Sequence, residues 1–283
     1  MDERDRHARP ARTAPIVLTA LLGLLSFACL SHAADEDEAP PPAKHPDPQV
    51  DALLDRIEAH AKSVKTLSAK IVYTRLQGLL GDKQIRIGTL RYAAGPPAKF
   101  NLHLTQRIIN RRPTDLAQNW IFDGVWLVER DASDPGNKRF IKRQVVPPDA
   151  DASAKDPLAL GEGPFPIPVK FDKQRVLNRY HVALIPPPPP EDKADNDEDK
   201  SIVHLRLTPK VKGGSDLVKI DLWYDRETLT PIKASTLDES ENESIITLRD
   251  VKTNAELPDD AFSTKPPQDR GWLIEIKPWD DNG

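Results

Sequence analysis

The sequence predicts an α+β protein, mainly antiparallel β, folded as a strongly curved open half-barrel of about ten strands behind one N-terminal helix. Three observations predict it. One segment near the N-terminus carries apolar residues at helical spacing. Beyond it the apolar period shifts towards 2 in about ten successive segments joined by short links. No internal repeat of about 20–50 residues is visible. A meander of this kind curls into a curved antiparallel sheet or an open barrel.

The chain has 283 residues. Arg4, Arg6, Arg9 and Arg12 precede an uncharged, Leu- and Ala-rich run from Thr13 to Leu30, which ends in Ser31-His32-Ala33. A basic start, an apolar centre and a small-x-small site mark residues 1–33 as a secretory signal peptide, cut most simply after Ala33. The run holds about 17 apolar or small residues, short of the ~20 a membrane-spanning helix needs. Cys29 offers a second reading, a lipidated cysteine after the small Ala28, although Ser26 stands where such a signal usually has Leu. Cys29 is the only cysteine. A chain cut after Ala33 therefore has no disulfide, thiolate nucleophile or thiolate-bound metal, and its fold rests on a hydrophobic core. The leader carries four Arg against three acidic residues. The rest has 36 Lys+Arg and 41 Asp+Glu, a net charge of −5. That balance argues against nucleic acid as a partner.

Residues 34–48 are acidic and Pro-rich and read as a disordered tether. Asp47-Pro48 supplies a helix start, and Val50, Leu53, Leu54, Ile57, Ala61 and Val64 set an amphipathic helix over 48–65. Strands are predicted at 67–80, 83–92 and 98–108. Asn119 to Glu129 reads as one strand with Trp120, Phe122, Trp126 and Val128 on one side and a tight turn at Asp123-Gly124. A further strand is predicted at 139–146. Phe171 to Tyr180 suits a short helix and 181–185 a strand. The segment 186–200, five prolines and then mostly charge, reads as an exposed loop. Strands resume at 202–207, 217–224, 230–237, 243–251 and 272–277. One folded domain over 49–278, followed by a tail at 279–283, accounts for the mature chain.

Catalytic signatures are missing. There is no G-x-S-x-G, H-E-x-x-H or phosphate loop. His45 falls in the tether, His60 on the helix, and His103, His181 and His204 singly on strands. The acidic pairs Asp259-Asp260 and Asp280-Asp281 sit in turn-like or terminal segments. The reading is a non-enzyme with no cofactor and no metal. Several strands are apolar on both faces: Trp120, Phe122 and Trp126 alternate with Ile121, Val125 and Leu127. One face could carry the helix while the other lines a cavity for a small apolar ligand. Equally, both faces could be packed core. A cavity would draw on Leu90, Tyr92, Phe100, Leu102 and Leu104, on Trp120, Phe122 and Trp126, on Leu205, Leu207, Ile220 and Leu222, and on Ile246 and Leu248.

Several stretches, in order, resemble the periplasmic outer-membrane lipoprotein carrier family (LolA-like, with its LolB-like outer-membrane relatives), the chain standing as a divergent member. Gly88-Thr89-Leu90-Arg91-Tyr92 followed by Pro97-Ala98-Lys99-Phe100 resembles the second and third strands. Phe122-Asp123-Gly124-Val125-Trp126 is similar to the D-G-x-x-W hairpin, and Leu205-Arg206-Leu207-Thr208-Pro209-Lys210 to the L-x-L-T-P-K strand. Asp225 to Ile232 resembles the acidic turn, and Phe262-Ser263-Thr264-Lys265-Pro266-Pro267 the terminus. The likeness spans about residues 49–275. It implies an unclosed barrel under short lid helices that sequesters lipoprotein or lipid acyl chains. It also implies a monomer in the periplasm, between an inner-membrane donor and an outer-membrane acceptor. The lid would fall at Pro157–Tyr180, with Leu158, Leu160, Phe165, Val176 and Leu177 facing the cargo. The family's lid is held by an Arg just before the Pro that is here Pro97. This sequence has Pro96, and the nearest arginines are Arg91, Arg107, Arg111 and Arg112. The other reading of the same fold is a non-transporting envelope module that binds a protein partner or senses the envelope.

Overall fold

The computed structural model describes residues 44–79, 81–148, 169–186, 201–211 and 216–279. Helix α1 spans Pro48–Ser63. The side chain of Asp47 accepts from the backbone N–H groups of Gln49 and Val50, and Pro48 occupies the first turn, so the predicted start is the observed one. Its inward stripe is Val50, Leu54 and Ile57.

Twelve strands follow among the described residues. The first six are β1 (Thr66–Leu76), β2 (Lys83–Ala93), β3 (Lys99–Ile109), β4 (Arg112–Phe122), β5 (Trp126–Asp131) and β6 (Lys138–Gln144). Helix α2 (Lys173–Arg179) then leads into β7 (Tyr180–Ile185), β8 (Ile202–Pro209), β9 (Leu217–Asp225), β10 (Pro231–Asp238), β11 (Glu243–Thr253) and β12 (Trp272–Lys277). They form one sheet in the order β12-β6-β5-β4-β3-β2-β1-β11-β10-β9-β8-β7. The architecture is an open half-barrel of two antiparallel meanders, joined where β1 pairs with β11. Only β12 runs parallel to its neighbour, β6, among the described strands. The two outermost strands, β12 and β7, do not pair with each other, so the sheet stays unclosed.

Irregularities in the ladders supply bends. Between β2 and β3 the register moves one residue on β2 (Ile87 to Gly88) and two on β3 (Gln106 to Leu104), leaving Thr105 as the extra residue of a bulge. Similar slips occur between β1 and β11 and between β9 and β10. Bulges bend strands and sharpen their twist, which is what an open sheet needs to curl.

The observed strands differ from the expected ones in two ways at β4 and β5. Asn119–Glu129 is two strands, β4 and β5, and β4 begins seven residues earlier, at Arg112. Asn110 and Arg111, both at positive φ, form the two-residue turn that joins β3 to β4. The turn at 123–125 reverses parity, because Phe122 pairs with Leu127. Trp126 and Val128 therefore lie on the opposite face from Trp120 and Phe122, not on the same side. Gly124 makes that turn at φ +108°, packed against Pro97, and the side chain of Asp123 accepts from the backbone N–H groups of Val125 and Trp126.

The two described helices lie on one face, here called inner. Two apolar clusters occupy it. One is built from β1–β4 and β11, the other from β7–β10 with α1 and α2. The outer face is strapped from β11 to β12 by residues 254–271. Asn254 accepts from the Lys65 N–H and donates to the Ser63 carbonyl. Asn101 donates to the Ala261 carbonyl at 2.7 Å, and the Thr264 hydroxyl donates to Asp123 at 2.8 Å. Beneath the strap, Phe262 and Trp272 cover a third cluster of Ile121, Val128 and Phe140.

Candidate ligand-binding site

Strand register assembles the inner face. Tyr73 pairs with Ile246, Ile246 with Ala234, Ala234 with Leu222 and Leu222 with Leu205, so a single apolar row crosses five strands. Of the expected cavity residues, Leu90, Tyr92, Phe100, Leu102, Leu104 and Phe122 are buried in the first cluster with Ile246 and Leu248, and Trp120 packs against it. Leu205, Leu207, Ile220 and Leu222 are buried in the second. Val176 and Leu177, expected in the lid, are buried on α2 within that second cluster. Trp126 is not among them: it lies on the outer face, where the Lys142 ammonium sits 4.8 Å from its ring centroid. Leu158, Leu160 and Phe165 lie outside the described residues, as do the leader, most of the tether, nearly all of the 186–200 loop and the last four residues.

A small cavity of about 10 Å³ opens where the two inner clusters meet. Ile57, His60, Ala61 and Val64 of α1 and its C-terminal end line one side. Leu67, Val169 and Phe171 line another, and Tyr224, Leu229 and Pro231 close it from β9, β10 and the turn between them. That volume holds about one water molecule. Two polar atoms of its lining residues are buried without a hydrogen-bond partner: the Tyr224 hydroxyl and His60 Nε2. Burial raises the Tyr224 pKa far above that of free tyrosine and lowers that of His60, so both are neutral at pH 7. Leu229 is buried at φ +56°, a left-handed conformation that costs a branched residue about 1–3 kcal/mol. The turn holds it there: Asp225 accepts from the Glu227 and Thr228 N–H groups, and its carbonyl accepts from the Leu229 N–H.

The helices are tied to each other by charge. Lys173, which begins α2, is 7 % exposed and reaches Asp55 at 2.6 Å and Asp51 at 2.9 Å on α1. Its backbone N–H donates to Glu58. Burial works against the Lys173 charge, but hydrogen bonds to Asp55 and Asp51 outweigh it and raise the pKa. His45 also anchors this end, its Nε2 donating to the Val182 carbonyl and its N–H to Asp51. In the sequence His60 and His45 are two of several scattered histidines, and no local signal marks Lys173 or Tyr224.

Among the described residues, no group of three or more His, Cys, Asp or Glu is placed to hold a metal ion, and no helix is long and apolar enough to cross a membrane. No protein-family model matches the chain, and no curated protein matches it. Solved structures do. A conserved protein of Thermus thermophilus aligns at 9 % identity over 80 % of this chain and 99 % of its own, with a TM-score of 0.42. A LolA superfamily protein of Nitrosomonas europaea aligns at 12 % identity over 74 % and 97 %, with a TM-score of 0.32. A chain of the MucA/MucB complex of Pseudomonas aeruginosa aligns at 15 % identity over 75 % of this chain and 59 % of its own, with a TM-score of 0.39. The likeness is one of fold.

Proposed function

We propose that the protein is an exported carrier of the cell envelope, periplasmic in placement, which takes acyl chains of lipids or lipoproteins out of water on the inner face of its half-barrel. The observation that carries this reading is the construction of that face. An apolar row crosses the sheet, and both helices are packed on the same side of it. The strands hydrogen-bond to one another, so α1 and α2 can lift without unpairing the sheet. The exposed apolar surface would then accept an acyl chain at about 0.8 kcal/mol per buried methylene. Lys173 takes the place of the missing family arginine as the tie that keeps the cover down. Organic extraction of protein purified from an intact envelope should yield acyl lipid. Lys173→Met should exchange a bound fluorescent fatty acid about tenfold faster than wild type, with a stability loss of about 1–2 kcal/mol, since Asp51 and Asp55 remain partly solvated. Protein that extracts clean and binds no fatty acid at any concentration would end this reading.

The edge strand β12 favours a second reading, a protein-binding module. Leu273, Ile274 and Ile276 are 63 %, 44 % and 51 % exposed on a strand whose far side pairs with no described strand. Bare apolar edges invite strand addition by an extended partner segment. Leu273→Lys with Ile276→Lys should abolish capture of such a partner and leave lipid loading intact. Loss of both together would show that β12 serves the fold alone.

A further inference from the structure

The cavity at the junction of the two inner clusters combines three features that packing alone does not call for. The Tyr224 hydroxyl and His60 Nε2 are buried without partners. Both residues line one small space that is otherwise apolar. Leu229, beside them, is held in a left-handed conformation. An unpaired buried donor forfeits about 1–3 kcal/mol, and strained residues cluster where ligands bind. The hydroxyl of neutral Tyr224 can donate. Neutral His60 can donate from Nε2 when the ring proton sits on that nitrogen. Among the described residues no cation lines the space, so a carboxylate would be buried without a counter-charge from them. An uncharged oxygen with two lone pairs suits two donors and an apolar surround.

We infer that Tyr224 and His60 form the polar anchor of the carrier site and bind the carbonyl oxygen of an acyl ester or amide, with the hydrocarbon chain running on over the inner face. This rests on the carrier reading above and sharpens it: the site selects acylated molecules over plain hydrocarbon. Entry requires α1 to move outward, because the closed space holds about one water molecule.

The test is displacement of a bound fluorescent probe by methyl palmitate, by N-methylpalmitamide and by octadecane, for wild type, Tyr224→Phe and His60→Leu. One carbonyl hydrogen bond corresponds to about a tenfold preference. Wild type should prefer the ester, the amide or both over octadecane by about tenfold or more. The stronger of the two names the acyl linkage. In Tyr224→Phe the preference should fall towards one. The unfolding temperature of Tyr224→Phe should hold or rise, because that substitution deletes an unpaired hydroxyl, so a folding defect is separable from a binding one. Displacement by octadecane with no advantage for either carbonyl compound overturns the anchor and leaves the carrier standing. A preference retained in both variants overturns it as well, the cavity then being a water site only. Failure of all three compounds overturns the carrier and the anchor together.

Discussion

Gly88→Ala should destabilise the protein by about 3 kcal/mol, or roughly 6–12 °C in unfolding temperature. A Cβ built on Gly88 would stand 1.9 Å from the carbonyl oxygen of His103 and 2.8 Å from the Leu104 Cα. Both are backbone atoms of β3, so no side-chain rotation relieves the clash. Gly88 faces the bulge at Thr105, where β2 and β3 come together at an irregular step of the ladder. Alanine must push the strands apart there, costing backbone hydrogen bonds and disturbing the packing of Leu90 and Leu104, which are 0 % and 1 % exposed. Gly136→Ala is the control. Its nearest neighbour is the Asp134 carboxylate at 3.4 Å and it needs no positive φ, so the change should stay within about 0.5 kcal/mol. Equal denaturation midpoints for the two variants would show that the strands do not approach as described.

That position also shows what a single sequence discloses. Gly88 stands in a motif that could be read, but the reason for it, a bulge on the neighbouring strand, depends on pairing that no local pattern encodes. The helix was legible because Asp47-Pro48 and the 3.6-residue stripe are local signals. Residues 112–118 escaped detection because β4 starts on Arg-Pro-Thr-Asp and is exposed there on both sides. Only the two-residue turn at Asn110-Arg111 commits it to β3. Trp126 lies on the face opposite to the one that strand alternation predicts, because the turn at 123–125 reverses that alternation. The inner-face residues are readable where burial repeats every second position, as in β1, the second half of β2 and β8. The anchor pair is not, since His60 and Tyr224 come from a helix and a strand far apart in the chain and meet only across the packed core. Lys173 is similar. As one Lys among many it carries no mark, and its burial follows from α2 docking on the acidic side of α1.

Asp221→Ala should cost about 3 kcal/mol at pH 7, with a dependence on pH that identifies the cause. Asp221 lies between the inward Ile220 and Leu222, at 2 % exposure. It accepts from His204 Nε2 at 2.8 Å and from Arg206 Nε at 2.8 Å, and Lys219 Nζ lies 3.1 Å away. Burial alone would raise its pKa. The hydrogen bonds to Arg206, His204 and Lys219 prevail and hold it below the ordinary carboxylate value. The stability it contributes is therefore present above the unfolded value near pH 4 and lost as pH falls through the lower folded value. His204 runs the other way in charge but alike in sign. Burial depresses its pKa, and the Asp221 hydrogen bond offsets part of that depression. A depressed folded pKa means that protons go first to the unfolded chain, so stability declines as pH drops below about 6.5. Removing Asp221 deepens the His204 depression. The gap between wild type and Asp221→Ala, measured by denaturant unfolding, should therefore widen between pH 7 and 5 and then close below pH 4, as Asp221 itself takes up a proton. His60 and His103 are also depressed by burial, but they contribute equally to both proteins and cancel in the difference. A gap that stays flat from pH 7 to 3 would mean that Asp221 is held by packing rather than by its hydrogen bond to His204 and the Arg206 and Lys219 cations beside it.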